Sequence, residues 1–219
     1  MDAIIFDVGG VLLVPHAESV ADALGTELSP EAAEEAHYHG VRALDAAPEA
    51  EDERLAYLRA YGRHLRLGDD SMPALQRLWG GPNIDLWRQP VRGSVEALRE
   101  LGRGSRKLAI VSNADGSIEE QLRHGRICQV GEGLGVPVLA IVDSHVVGVA
   151  KPAAEIFRHA LEPLGVQPGD AVYVGDTVRY DVAGARAAGL TPIHFDPLEL
   201  CPARADHGHV RRLEELLWL

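Results

Sequence analysis

A chain of 219 residues, 46% hydrophobic and 25% charged, is long enough to bury a sizeable core as one domain, or one domain with an insertion. Its formal charge of −12 opposes binding to a nucleic-acid backbone or an anionic membrane, and no stretch approaches the ~18 uninterrupted apolar residues of a membrane span. Two cysteines, Cys128 and Cys201, are too few for a disulfide framework or a structural zinc site; plain thiols in a reducing, cytoplasmic setting are expected, and the N-terminus carries no leader pattern.

The first element, Ala3-Ile4-Ile5-Phe6, is an apolar run that ends in Asp7 and is followed by Gly9-Gly10. Residues 14–91 then show no convincing strand. Helical patterns cover Ala17–Leu24, Glu31–Ala46, Asp52–Leu67 and Ser71–Trp79, broken at Ser29-Pro30, Pro48, Gly68-Asp69-Asp70 and Gly80-Gly81-Pro82-Asn83. In the third helix Leu55, Leu58, Tyr61 and Leu65 form the predicted apolar stripe.

From Val91 the pattern alternates. Ser94 is expected to cap a helix through Leu101. Apolar runs at Leu108–Val111, Val138–Val142, Ala171–Val174 and Leu190–Phe195 read as strands, and Ile118–His124, Glu155–Leu164 and Asp181–Ala188 as helices, with Pro163 ending or bending the second of these. Strands alternating with helices predict a parallel sheet covered on both faces, which is why its strands read as unbroken apolar runs. The first strand precedes the helical zone and its neighbours follow it, so the zone reads as an insertion: a core of 1–13 and 92–219, interrupted by 14–91. The basic stretch at 99–107 reads as a solvated helix end and turn. The amphipathic tail Val210–Trp218 is expected to pack on the core; monomer and homodimer both stay open.

Ligands of open α/β sheets bind at the carboxyl ends of the strands. There the sequence places Asp7, Ser112-Asn113, Asp176 with Asp181, and, after Asp143-Ser144-His145, Lys151-Pro152. Each residue alone has an ordinary explanation as a turn, a helix start or a surface side chain. Together they suit phosphoryl transfer through an aspartyl intermediate. Asp7 can attack as nucleophile. Asp7, Asp176 and a backbone carbonyl near Gly9 can offer oxygens to magnesium, the hard cation such ligands suit. Ser112 can donate to the transferred group, Lys151 can offset the negative charge, and Gly10 permits close backbone approach to the substrate.

These residues resemble the four motifs of the haloacid dehalogenase-like hydrolase superfamily, in order: FDVGGVL at 6–12, LAIVSNADG at 108–116, Lys151-Pro152 within GVAKPAAEIF at 148–157, and VGDTVRYDVAGARAAG at 174–189. The resemblance implies an α/β fold, a Rossmann-like parallel sheet core with an inserted α-helical cap at 14–91. It also implies a phosphatase-like activity on a small phosphorylated metabolite and a Mg2+ cofactor. The implied catalytic set is Asp7, Ser112 and Lys151. The substrate would be bound by Gly10, Ser112, Asn113 and Lys151, and the metal by Asp7, the Gly9 carbonyl, Asp176 and Asp181. A mobile cap would open for substrate and close against water.

One position departs from the pattern. Phosphatases of this superfamily usually carry a second Asp two places after the nucleophile, to protonate the leaving group; here that place is Gly9. Losing a general acid costs about 10²–10⁴-fold, most for poor leaving groups. His16, His37 or His39 could substitute, and Arg42, Arg54, Arg59, Arg63 or Arg66 could bind substrate. Three readings follow: a magnesium-dependent phosphatase, a non-catalytic member binding a phosphorylated ligand or a protein, and a metal-independent dehalogenase-type hydrolase, for which Gly9 is no obstacle.

Overall fold

The structure is a computed structural model that describes residues 1–48, 50–81 and 85–219. It begins with β1 (Ala3–Phe6), fully buried, and a tight turn into β2 (Leu13–Pro15). Helices α1 (Ala17–Leu24), α2 (Pro30–Ala46), α3 (Glu53–His64) and α4 (Met72–Gly80) follow. Ser29 and Asp52 start α2 and α3 by accepting the backbone N–H groups of Ala32 (3.2 Å) and Leu55 (3.1 Å). Of the break expected at 80–83, Gly80 ends α4, while Pro82 and Asn83 lie outside the described residues.

The chain returns through β3 (Trp87–Pro90) and α5 (Ser94–Gly102) to β4 (Lys107–Ser112), α6 (Ile118–His124), β5 (Cys128–Val130), β6 (Val136–Val138), β7 (Ala140–Asp143), α7 (Ser144–Val147) and α8 (Glu155–Leu164). Then come β8 (Ala171–Gly175), a π-helical turn (Val178–Val182) running into α9 (Ala183–Ala187), β9 (Thr191–Phe195), β10 (Gly208–Val210) and a 3₁₀ helix (Leu213–Trp218).

The main sheet is parallel throughout, in the order β10-β9-β8-β1-β4-β7. Alternation along β1 sorts its residues: Ile4 and Phe6 pack on one face with Leu98, Leu101, Leu213 and Leu216, and Ala3 and Ile5 on the other with Ile156, Phe157 and Leu164. Both faces are covered, as the unbroken apolar runs predict. The helices α1–α4 share a separate cluster, centred on Val20, Ala36, Tyr57, Leu58, Tyr61 and Leu75, with Leu65 partly buried against it; Leu55 of the expected stripe is partly buried and not part of it. Among the described residues no helix is long and apolar enough to cross a membrane.

Several local expectations are corrected. The stretch 14–91, expected to lack strands, carries β3 and most of β2, which pair antiparallel with Leu13 opposite Pro90 and Val14 opposite Gln89. Trp-Arg-Gln-Pro has no apolar alternation. Its buried member is polar: Gln89 accepts from the Ala17 N–H (3.1 Å) and donates to the Pro30 carbonyl (2.9 Å). Ser94 does not cap α5; it donates to the Leu12 carbonyl (3.3 Å), and Gly93 at φ +76 precedes the helix. The run at 138–142 is two strands divided at Leu139, β6 pairing with β5 and β7 with β4. The helix expected from Asp181 opens instead as the π-helical turn. Pro163 neither ends nor interrupts α8, which closes at Gly165 in the left-handed conformation. The tail does pack on the core, burying Leu213 and Leu216, with Arg106 donating to the Leu216 (3.2 Å) and Leu219 (2.9 Å) carbonyls.

Candidate active site

The chain runs outward from β1 through β4 to β7, then back across to β8, β9 and β10. The order therefore reverses at β1, and the carboxyl ends of β1, β4 and β8 surround a switch point, where such sheets bind ligands. Asp7 follows β1, held by its N–H on the Val174 carbonyl (2.8 Å). Ser112 ends β4, and Asp176 follows β8. Asp181 lies in the π-helical turn, and its carboxylate holds that turn by accepting from the Thr177 N–H (2.9 Å) and hydroxyl (2.6 Å).

Lys151 draws these together. Its Nζ lies 2.8 Å from Asp7 Oδ1 and 2.8 Å from Asp181 Oδ1, and it donates to the Tyr173 hydroxyl (2.8 Å). The Asp7 contact is an ion pair outside hydrogen-bond angles. Lys151, Asp7, Asp176 and Asp181 are all buried. Burial alone would lower the Lys151 pKa, but Asp181 and Asp7 outweigh it and hold the ammonium charged. At Asp181, Lys151 and Thr177 likewise outweigh burial and keep the pKa below the usual range. Asp7 is pushed up to about 7 by burial, with Lys151 opposing and Asp181 and Asp176 adding. Burial, then Asp181, raise Asp176 well above the ordinary carboxylate range.

That imbalance is the test of a cation. One oxygen from each of Asp7, Asp176 and Asp181 falls within a 4.8 Å group, and one ammonium cannot balance three buried carboxylates. The all-oxygen donor set and the charge excess fit a hard divalent cation such as Mg2+.

Asp7, Gly9, Ser112, Asn113, Lys151 and Asp181 all line one cavity of about 160 Å³. Asn113 lines it while gripping the Lys151 backbone, accepting from its N–H (2.8 Å) and donating to its carbonyl (3.0 Å). Two expected site residues stand outside this lining. Asp176 turns toward α2, where His37 Nε2 lies 3.0 Å from its Oδ2. Gly10 lies behind it: its φ is +69, and a Cβ there would fall 1.9 Å from Asp176 Oδ2. Gly10 is therefore placed to admit the carboxylate rather than the cavity's contents. A Cβ on Gly9 would meet only the Trp87 ring, at 3.5 Å, and Gly9 has no left-handed φ.

Of the three histidines weighed as substitutes, His37 alone reaches the carboxylates. Burial lowers its pKa to about 3, so the ring is neutral, with Nε2 hydrogen-bonded to Asp176 Oδ2 and Nδ1 to the Tyr57 hydroxyl (2.9 Å). His39 stacks on His64, and His16 sits between Ser19 and Arg88. None of Arg42, Arg54, Arg59, Arg63 and Arg66 lines the cavity. Trp87, Gln121, Thr177 and Tyr180 do, and sequence reasoning missed all four. Thr177 and Tyr180 flank Asp181 closely enough to have been found; Trp87 arrives only through β3. The segment of α1–α4 also grips the turn after β8, where Asp45 accepts the N–H groups of Val178 (2.8 Å) and Arg179 (2.9 Å), and Glu53 accepts from Arg179 (3.1 Å) and Tyr180.

The family model for haloacid dehalogenase-like hydrolases matches residues 1–189. The chain belongs to that family. It is 32% identical to a phosphoserine phosphatase of Thermus thermophilus over 150 residues, 58% of this chain and 60% of that protein. It is 35% identical to an N-acylneuraminate-9-phosphatase of Rattus norvegicus over 100 residues, 44% of this chain and 36% of that protein. The match thus spans less than two thirds of either relative. Among solved structures, a HAD phosphatase from Thermococcus onnurineus matches at a TM-score of 0.58 and 24% identity, over 99% of this chain and 96% of that one. The L-2-haloacid dehalogenase of Xanthobacter autotrophicus matches at 0.58 and 21%, over 99% and 96%. At such identities the likeness is one of fold.

Proposed function

We propose that this family member is a magnesium-dependent phosphatase acting on a small phosphorylated metabolite through an aspartyl-phosphate at Asp7. The observation that carries the reading is the buried group of Asp7, Asp176 and Asp181 with Lys151 bridging two of them, a charge excess that a divalent cation relieves. Relatives named for phosphoserine and N-acylneuraminate 9-phosphate point to the same substrate class. The cavity of about 160 Å³ also suits a small ligand, being below the ~300–1,000 Å³ of clefts that enclose drug-sized ones.

A bound Mg2+, held by Asp7, Asp176, Asp181 and the Gly9 carbonyl, would neutralise charge on the phosphoryl oxygens. The Asp7 carboxylate attacks phosphorus, its new O–P bond forming as the bond to the leaving oxygen breaks. Ser112 donates to the transferred group, and Asn113 fixes the loop from which Lys151 screens the anionic charge. Water then cleaves the acyl phosphate, returning the carboxylate and releasing phosphate. No side chain at Gly9 protonates the leaving oxygen, so aryl and acyl phosphates, whose leaving groups depart as anions, are the favoured substrates. Residues 14–91 act as a cap, with Trp87 walling the cavity and Asp45 and Glu53 gripping the turn that bears Asp181.

The test is hydrolysis of an aryl and an acyl phosphate by wild type and Asp7→Asn, with and without magnesium. Magnesium-dependent turnover lost in Asp7→Asn supports the proposal. Gly9 also favours a second reading, a phospho-ligand-binding member without turnover; magnesium binding with no hydrolysis of either substrate would establish that instead. Metal-independent halide release would establish a dehalogenase.

A further inference from the structure

A second group of ligand-type side chains sits beyond the acidic cavity, at the carboxyl end of β9. His194, Cys201, His207 and His209 each bring one donor atom to a common point, all four atoms within 4.8 Å of one another. They are irregularly spaced over two strands and the loop between them, so no sequence motif announces them. His194 and His209 come from the adjacent strands β9 and β10, where they are paired in register. Cys201 and His207 come from the connection between those strands. Asp196 pins that connection by accepting the N–H groups of Leu200 (2.8 Å) and Cys201 (3.1 Å).

The hydrogen bonds at the far sides of the rings decide what faces inward, the tautomers following from the partners. His194 Nε2 lies 2.8 Å from the Asp176 carbonyl, which can only accept, so the proton is there and the Nδ1 lone pair faces the group. His209 Nδ1 lies 3.0 Å from the His207 carbonyl, so its Nε2 carries the lone pair; that atom is buried and has no hydrogen-bond partner. The His207 side chain is fully buried, and its Nδ1 makes no hydrogen bond, an Asp206 carboxylate oxygen standing 3.6 Å away. The three rings and the thiol therefore converge: His207 Nε2 contacts both His194 Nδ1 and Cys201 Sγ, while the buried His209 Nε2 has no partner. His194 and His209 are oriented as metal-ligating histidines are, with the second ring nitrogen donating to a carbonyl.

Distances agree. Zinc bonds of about 2.05 Å to nitrogen and 2.3 Å to sulfur, set tetrahedrally, separate two nitrogens by about 3.3 Å and a nitrogen from a sulfur by about 3.6 Å. His194 Nδ1 and His207 Nε2 are 3.3 Å apart, and Cys201 Sγ and His207 Nε2 are 3.8 Å apart.

We propose that His194, Cys201, His207 and His209 form a structural site for zinc or a similar borderline transition-metal ion, separate from the acidic group. Four protein ligands close the coordination shell, which marks a structural rather than a catalytic site. The thiol loses its proton on binding, and the metal locks the 196–207 connection across the ends of β9 and β10. The nitrogen and sulfur donors exclude magnesium, and the oxygen donors of the acidic group do not attract zinc by preference.

The test is titration of the chelator-treated full chain with Co2+ by visible absorption, together with elemental analysis of the chain reloaded with Zn2+. Expected are one tightly held ion per chain, tetrahedral d–d bands and a thiolate-to-cobalt charge-transfer band that excess Mg2+ does not remove. Cys201→Ser abolishes the charge-transfer band, and Asp7→Asn retains it. His209→Gln, a milder change at a partly exposed ring, weakens Co2+ binding by at least the about 10- to 100-fold that loss of an outer-shell partner costs. A featureless cobalt titration of the wild-type chain overturns the proposal whatever the variants do. So does a charge-transfer band that survives in Cys201→Ser shown by circular dichroism to be folded.

Discussion

The Trp87 ring stands 3.5 Å from where a Cβ on Gly9 would lie, so the place that lacks a general acid faces an aromatic wall at ordinary van der Waals distance. Nothing in the backbone demands glycine there. The absence of an acid is thus chemical rather than steric, and restoring one is structurally permitted. Gly9→Asp is expected to fold and to raise turnover of alkyl phosphates over that of aryl phosphates, toward the about 10²–10⁴-fold a general acid supplies. The ratio of alkyl to aryl kcat measures this; an unchanged or lower ratio would refute the explanation of the gap.

Gly10 answers differently. Alanine there combines a left-handed φ with a Cβ 1.9 Å from Asp176 Oδ2, whereas alanine at Gly9 meets only the Trp87 ring. Gly10→Ala should lose more than the roughly 1–2 kcal/mol that the left-handed conformation costs a non-glycine residue, while Gly9→Ala stays within about 1 kcal/mol of wild type. Urea denaturation of the two variants side by side decides it. Equal losses would show that the turn tolerates a side chain at both places.

Asp7 links charge to stability. Without a divalent cation its carboxyl titrates near 7 in the folded chain against an ordinary 3.8, raised chiefly by burial. Between those values the folded chain holds a proton that the unfolded chain has released, so stability falls as pH rises through the window. Asp7→Asn removes that penalty. In chelator, the Tm of Asp7→Asn should gain on that of wild type between pH 4 and pH 8. A difference that is constant over the range, or that moves the other way, would show that Asp7 ionises without cost.

Much of this could be read from the chain. The strands β1, β4 and β8 are buried and appear as plain apolar runs, whereas β10, Gly-His-Val at the sheet edge, does not; Asp7, Ser112, Lys151 and Asp181 stand where strands or their following turns reach one cavity. Trp87 could not be read, because its position depends on β3, whose one buried residue, Gln89, is held by hydrogen bonds instead of apolar contact. Asn113 was legible as a site residue but not in its task, a double hydrogen bond to the Lys151 backbone across 38 positions. His37 was one candidate of three, and only the packing of α2 against Asp176 separates it from His16 and His39. The count of two cysteines does not register that sheet pairing, rather than spacing, brings His194 and His209 beside Cys201.

The central claim is that Asp7 carries the phosphoryl group. Rapid acid quench of the chain turning over an acyl phosphate with magnesium, followed by peptide mass analysis, tests it most directly. One phosphoryl group on the peptide containing Asp7, absent without magnesium and absent in Asp7→Asn, is the predicted result. Turnover with no phosphoryl group trapped on that peptide, or turnover that persists in Asp7→Asn, would contradict it.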